Sequence, residues 1–113
     1  RYGLVGSEMC IRDRVTTQED LLNRAIEICN EFTKETSSIS IALTRQMLWR
    51  LMGADHPMEA HKIDSRAVYD LGNSGEAAEG IKSFFEKRPP NFPGKLTDDM
   101  PDFYPWWDEK IFE

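Results

Sequence analysis

The sequence predicts an all-α fold of four helices followed by an extended C-terminal arm. Apolar residues recur at helical spacing along most of the chain, and capping residues, glycines and prolines divide that pattern into four segments. No strand pattern occurs beyond the short run GLV at residues 3–5. The final segment is rich in proline and aromatic residues, which predicts an arm without regular structure.

The first helix is predicted to begin near Thr17 and to run to about Glu35. Thr17 is a typical capping residue, and Asp20 follows three positions later, as in a capping box. The apolar residues that follow at helical spacing are Leu21, Ala25, Ile28 and Phe32.

The second helix is predicted to begin at Ser37 or Ser38 and to end near Met52, with Gly53 as its stop. Its apolar residues occupy well over half of the helix circumference. A helix of that kind is buried on more than one side. The neighbouring short helices are too few to cover it, so we expect a partner surface outside them.

The third helix is predicted to follow a cap at Asp55 or His56. Pro57 suits its first turn, and Gly72 and Asn73 end it.

The fourth helix is capped by Ser74 and closed by Pro89 and Pro90. Gly80 lies in its interior, where glycine costs about 1 kcal/mol relative to alanine. Gly80 is therefore either tolerated or needed for the close approach of another backbone.

Two charged segments flank the end of the fourth helix. The bases between residues 82 and 95 give a net charge of +3, and they either complement the helix dipole or contact a phosphate. Residues 96–113 carry a net charge of −5 and include the aromatic run DFYPWW. Because aromatic residues are common interface anchors, we expect this run to dock on a neighbouring subunit and not on the chain's own helices.

Composition excludes several classes of function. The formal net charge of −6 argues against general nucleic-acid binding, and no apolar run reaches the roughly 20 residues of a membrane span. Two cysteines do not make a disulfide scaffold, so a cytoplasmic location is expected.

His56 and His61 lie five positions apart and do not form a metal-binding pair on one helix face. We predict neither a metal site nor a catalytic residue, and a Ser65–His61–Asp64 triad is rejected because neighbours on one helix point apart.

The segment SGEAAEGIKSFFEKRPPNF, residues 74–92, resembles the end of the crotonase (enoyl-CoA hydratase/isomerase) superfamily. The upstream run ALTRQMLWR looks like that family's penultimate helices, and RYGLV looks like the short strand that closes its core domain. The resemblance covers roughly residues 15–95. The matching positions of the signature are Glu76, Glu79–Gly80, 83–88, Pro90 and Phe92.

The resemblance implies that the four helices form the C-terminal helical region of a crotonase-like α/β spiral fold. Residues 15–95 then form an assembly region, and residues 96–113 an acidic aromatic tail. Residues 1–14 are interpreted as non-native sequence or as a remnant of a core-domain strand, since SEMCIRDR resembles a translated sequencing adapter.

The resemblance also implies a function for the intact enzyme, a lyase or isomerase of fatty acid metabolism acting on a 2-enoyl-CoA thioester. Its oxyanion hole and acid/base carboxylates lie upstream, so the present chain is expected to be inactive alone. CoA enters as part of the substrate, and no separate cofactor is implied. Phe84 is expected to flank the acyl or pantetheine channel and Lys87 to meet a CoA phosphate.

The implied assembly is a homotrimer or a dimer of trimers built through these helices, with Glu76 and Glu79 on a helix used for assembly and ligand contact. Two alternatives stay open. One is another reaction of the family, namely dehalogenation, decarboxylation or thioester hydrolysis. The other is a stand-alone helical module that binds a protein partner through its aromatic tail.

Overall fold

A computed structural model describes residues 14–111 of the chain. These residues form no strand and contain four helices, α1 (Leu21–Thr33), α2 (Ser38–Arg50), α3 (Pro57–Gly72) and α4 (Gly75–Glu86). The predicted all-α class with four helices is thus confirmed for the described part of the chain. The segments GLV and SEMCIRDR fall almost entirely outside it, so the interpretation of residues 1–14 stays a prediction.

The chain separates into two compact units, Arg1–Phe32 and Thr33–Glu113. In the first unit, the Asp20 N–H donates to Thr17 Oγ1 at 3.3 Å, and the Thr17 hydroxyl donates to the Asp20 carboxylate at 2.9 Å. Thr17 therefore makes the predicted capping contacts, but the regular helix begins only at Leu21. Four large apolar side chains of this helix are at least half exposed: Leu21, Leu22, Ile26 and Phe32.

Local caps define the helices of the second unit. Ser37 caps α2 by accepting the N–H of Ser40 at 3.2 Å. His56 caps α3, since its Nδ1 accepts the N–H of Met58 at 3.1 Å and Pro57 occupies the first turn. Ser74 caps α4 by accepting the N–H of Glu76 at 3.2 Å. The structure thus selects Ser37 and His56 from the pairs of caps that the sequence left open.

Helix α3 packs against both α2 and α4, and the core of the second unit is small. Its buried apolar residues are Ile39 and Leu43 of α2, Ala67 of α3 and Phe103 of the arm. Partly buried residues pack around them: Ile63, Leu71, Met100, Tyr104 and Trp106.

The arm docks on the chain's own helices, so the expectation that its aromatic run lies on a neighbouring subunit is wrong for Phe103. The Phe103 side chain is only 7% exposed, and the Arg66 guanidinium lies 4.7 Å from its ring centroid. Arg50 of α2 lies 4.4 Å from the ring centroid of Trp107. An arm that supplies a core residue adds apolar burial that the helices lack among themselves.

Glu109 joins these contacts near the end of the arm. Its Oε1 accepts from the indole N–H of Trp107 at 2.7 Å and from the Arg50 guanidinium at 3.0 Å. These two donors hold the pKa of Glu109 below its ordinary value, with the Trp107 contact as the larger cause.

Large apolar side chains of α2 and α4 remain exposed. Trp49 is 74% exposed and Phe84 is 79% exposed. The others with more than half of their surface exposed on or next to these helices are Leu48, Met52, Ile81 and Phe85. These surfaces agree with the expectation that the second helix is too apolar for its neighbours to cover. Within residues 14–111, no helix is long and apolar enough to cross a membrane.

Candidate functional site

The two predicted site residues lie together at the end of α4. Regular helix stops at Glu86, and Lys87 adopts the left-handed conformation with φ 52° and ψ 43°. The Lys87 N–H donates to the Phe84 carbonyl at 3.3 Å, and the Arg88 N–H donates to the Ser83 carbonyl at 3.2 Å. This pair of bonds is a Schellman motif. The helix is therefore ended by the conformation of Lys87, two residues before the prolines that the sequence analysis named as its stop.

Phe84 and Lys87 both face solvent. Phe84 contacts Phe85 edge to face, with ring centroids 5.9 Å apart, and both rings are more than three-quarters exposed. Lys87 is exposed, and within residues 14–111 no ion pair involves its ammonium group. An apolar ring and a cation one helical turn apart form an amphipathic surface. Their roles in CoA binding remain a prediction.

Arg88 is held by the chain itself, which separates it from the other bases of the cluster. Its guanidinium contacts both Glu79 oxygens, at 2.6 and 2.9 Å, and its Nε donates to Glu86 at 2.7 Å. The Asn91 N–H donates to Glu79 Oε1 at 2.6 Å. Glu79 therefore fastens the segment after α4 back onto the helix, and Arg88 is engaged within that contact.

The same contacts perturb the acid–base properties of the pair. Hydrogen bonds from Arg88 and then from the Asn91 backbone lower the pKa of Glu79 to about 2. The carboxylates of Glu79 and Glu86 raise the pKa of Arg88 above its ordinary value. Sequence reasoning missed this clamp, because nine residues separate Glu79 from Arg88 and the helix between them ends at the left-handed Lys87.

Glu76 is buried, and the use of its helix for assembly and ligand contact stays a prediction. Glu76 is 5% exposed, and its Oε1 accepts the N–H of Gly94 at 2.7 Å. A Cβ at Gly94 would lie 2.4 Å from Ile39 Cδ1 and 2.8 Å from Glu76 Oε1. Only glycine fits there without a shift of its neighbours. Glu76 and Glu79 thus tie the segment 91–94 to α4 at two points.

Gly80 has a simpler explanation than close backbone approach. Among residues 14–111, a Cβ at this position would meet only the ring of Phe92, at 3.7 Å, which is an ordinary contact distance. Within the described chain the helix therefore has room for alanine, so no backbone of this chain requires glycine there.

No group of three or more His, Cys, Asp or Glu side chains that could hold a metal ion occurs in the described part of the chain. A cleft of about 520 Å³ lies in the first unit against Arg14, Leu21 and Arg24, but it contains neither predicted site residue.

The family model described as Enoyl-CoA hydratase/isomerase matches residues 6–95, which include all four helices and the signature around Phe84 and Lys87. The chain therefore belongs to the enoyl-CoA hydratase/isomerase family.

Three curated proteins of Alternaria alternata are similar to this chain. Enoyl-CoA hydratase AKT3-2 is 34% identical over 86 residues, which are 76% of this chain and 28% of that protein. Enoyl-CoA hydratase ACTT3 is 32% identical over 80 residues, 71% of this chain and 26% of that protein. Enoyl-CoA hydratase AFT3-1 is 32% identical over 86 residues, 76% of this chain and 28% of that protein. The matched segment thus spans little more than a quarter of these relatives.

Proposed function

We propose that this chain is the C-terminal helical part of an enzyme that hydrates or isomerises the double bond of a 2-enoyl-CoA thioester. The observation that carries the proposal is the match to relatives named enoyl-CoA hydratases, of which the chain covers 26–28%. The exposed apolar side chains of α2 and α4 support it, because a longer polypeptide would cover such surfaces.

The remaining part of that enzyme supplies the reaction chemistry in this proposal. Hydration of an enoyl thioester needs donors that stabilise a developing enolate and a positioned acid or base. In this proposal neither comes from the described residues, so the isolated chain should not hydrate an enoyl-CoA. The thioester is the substrate, and the proposal includes no separate cofactor.

Phe84 and Lys87 form one edge of the CoA site in this proposal. Phe84 presents an apolar face to the acyl or pantetheine chain, while the Lys87 ammonium reaches a phosphate as a flexible point charge. The fixed end of α4 supports these roles, because Glu79 and Arg88 hold the backbone on either side of Lys87. Assembly as a homotrimer or a dimer of trimers in the cytoplasm would cover the remaining apolar surface.

The test measures CoA affinity by calorimetry at low ionic strength, in the complete polypeptide that carries this chain. We expect Lys87→Ala to weaken binding about tenfold, since a charge-assisted hydrogen bond contributes about 1.5–3 kcal/mol. Lys34→Ala is the matched control. It removes the same charge near the opposite end of α4 from Lys87. Glu35 and Thr36, which follow Lys34 in the sequence, line a cleft with Ala77 in the first half of that helix. Equal affinities for the wild-type and Lys87→Ala proteins would remove Lys87 from the site.

The rival from a different class is a stand-alone helical module that binds a protein partner through its aromatic tail. Burial of Phe103 by the chain's own helices supports independent folding, but it leaves that ring unavailable to a partner. Light scattering discriminates the two. A monodisperse monomer that melts cooperatively would support the module, while concentration-dependent association would support the part of a larger enzyme. Within the family, dehalogenation, decarboxylation and thioester hydrolysis remain alternatives that assays of the complete polypeptide separate.

A further inference from the structure

The end of α4 contains an unfavourable backbone conformation that needs support. Within residues 14–111, Lys87 is the one non-glycine residue with a positive φ, at 52°. A residue with a Cβ is strained in this region, and it stays there only where the surrounding structure holds it. The contacts on either side of Lys87 therefore determine whether its backbone stays fixed.

Glu79 makes the contacts that hold the chain after Lys87. Its two oxygens accept from the Arg88 guanidinium at 2.6 and 2.9 Å, and Oε1 also accepts the Asn91 N–H at 2.6 Å. The Glu79 side chain is only 15% exposed, so water competes little for these bonds. Because Glu79 lies within the regular part of α4, the segment that leaves the helix is fastened to a rigid element.

The backbone bonds at the helix end are weaker restraints. The Lys87 N–H donates to the Phe84 carbonyl at 3.3 Å, and the Arg88 N–H donates to the Ser83 carbonyl at 3.2 Å. Both distances are long for hydrogen bonds between neutral groups, whereas the contacts of Glu79 are short and charge-assisted. Glu79 is therefore the stronger restraint on the conformation of Lys87.

The same contacts separate two neighbouring cations. Arg88 pairs with Glu79 and Glu86, whereas no ion pair involves Lys87 in the part of the chain that the structure describes. An anion that approaches this helix end therefore meets one cation that is already paired and one that is available.

We propose that Glu79 is a positioning residue, which holds Lys87 in the left-handed conformation from which its ammonium group contacts a phosphate of CoA. This role rests on the proposed function, in which Lys87 meets that phosphate. Glu79 acts through Arg88 and the Asn91 backbone and touches no substrate itself. Its contribution is preorganisation, because a side chain whose backbone is already fixed loses less freedom on binding.

The first arm of the test uses the 113-residue chain and needs no ligand. Lys87→Gly removes the strain at residue 87, so it should raise the urea concentration at the unfolding midpoint. In a Glu79→Gln background the released backbone can leave the left-handed region, so Lys87→Gly should raise the midpoint by a smaller amount. Glu59→Gln is the matched control, because it breaks the Glu59–Lys62 ion pair on α3 and should leave the effect of Lys87→Gly unchanged.

Equal midpoint shifts in the wild-type and Glu79→Gln backgrounds would overturn the proposal. If Glu79→Gln does not fold, Arg88→Lys takes its place with the same expected result. Lysine keeps the charge but lacks the planar fork that engages both Glu79 oxygens.

The second arm measures CoA affinity by calorimetry at low ionic strength, in the complete polypeptide that carries this chain. Glu79→Gln should weaken binding by part of the about tenfold loss expected for Lys87→Ala. In a Lys87→Ala background it should have no further effect, since no ammonium group is left to position. Glu59→Gln should leave the affinity unchanged in both backgrounds.

The outcomes distinguish the positioning role from the proposed function. An equal loss from Glu79→Gln in both backgrounds would mean a structural role only and would overturn the positioning role. A loss with Lys87→Ala and none with Glu79→Gln would also overturn it, while the CoA contact of Lys87 would stand. No loss with Lys87→Ala would overturn the CoA contact and the positioning role together.

Discussion

At the scale of single residues, Lys87 combines an exposed charge with a left-handed backbone. A residue with a Cβ is strained in this region, by about 1–2 kcal/mol, whereas glycine adopts it freely. The helix end thus uses a lysine where glycine would be the more stable choice, and the proposed phosphate contact gives a reason for that residue.

We therefore expect Lys87→Gly to raise the free energy of unfolding by about 1 kcal/mol. Lys82→Gly, which removes the same charge from the interior of α4, should instead lower it by about 1 kcal/mol. Urea unfolding monitored by circular dichroism measures both. A destabilised Lys87→Gly variant would mean that the lysine side chain stabilises the helix end.

The Glu79–Arg88 clamp makes stability depend on pH. The folded-state pKa of Glu79 is about 2, below its ordinary value of 4.5. Its contribution is therefore complete above about pH 4.5 and is lost as the pH falls towards 2. Glu79→Gln should therefore make the free energy of unfolding depend less on pH in this window, as measured by urea unfolding at a series of pH values.

Asp64→Asn is the control for this experiment, because the structure records no ion pair for Asp64 within the described chain. It should lose unfolding free energy at low pH as the wild-type protein does. If Glu79→Gln also lost it as the wild-type protein does, the clamp would not contribute to folding.

At the scale of elements, the segment 91–94 is tied to α4 by Glu76 and Glu79, and Gly94 is the point of closest approach. We expect Gly94→Ala to lower the free energy of unfolding by about 1–3 kcal/mol, as overpacking does. Gly80→Ala has room for its methyl group and should raise it by about 1 kcal/mol. Thermal unfolding of the two variants checks this opposite pair of effects, and a neutral Gly94→Ala variant would contradict it.

The elements that the sequence predicts well are those set by local contacts. Ser37, His56 and Ser74 each accept a backbone N–H two or three residues ahead, so neighbouring residues suffice to place these caps. The end of α4 was placed too late, because proline marks where a helix cannot continue and not where it stops. The Glu79–Arg88 clamp and the burial of Phe103 depend on distant parts of the chain and carry no local signal.

The same difference between local and distant contacts applies to the candidate site. The resemblance proposed Phe84 and Lys87 as site residues, and they lie together at an exposed helix end, but their roles stay a prediction. The sequence grouped Arg88 with the other bases of residues 82–95, as groups that complement the helix dipole or contact a phosphate, whereas the structure pairs Arg88 with two carboxylates. Burial of Glu76 was missed because an acid in the first turn of a helix is usually exposed.

At the scale of the whole molecule, the arm completes the core of the second unit. Phe103→Ala should lower the free energy of unfolding by about 3 kcal/mol, because it removes a buried ring. Phe85→Ala removes an exposed ring and should change it by less than about 0.5 kcal/mol. Equal effects of the two substitutions in urea unfolding would show that the arm does not close the core in solution.

The small core also affects how stability varies with temperature. In the second unit, only four apolar side chains within the described residues are buried, so unfolding transfers little additional hydrocarbon into water. The heat capacity of unfolding should therefore fall below the about 12–15 cal/mol/K per residue of ordinary globular domains. Scanning calorimetry of the isolated chain should show a shallow, broad endotherm, and docking onto a larger polypeptide would sharpen it.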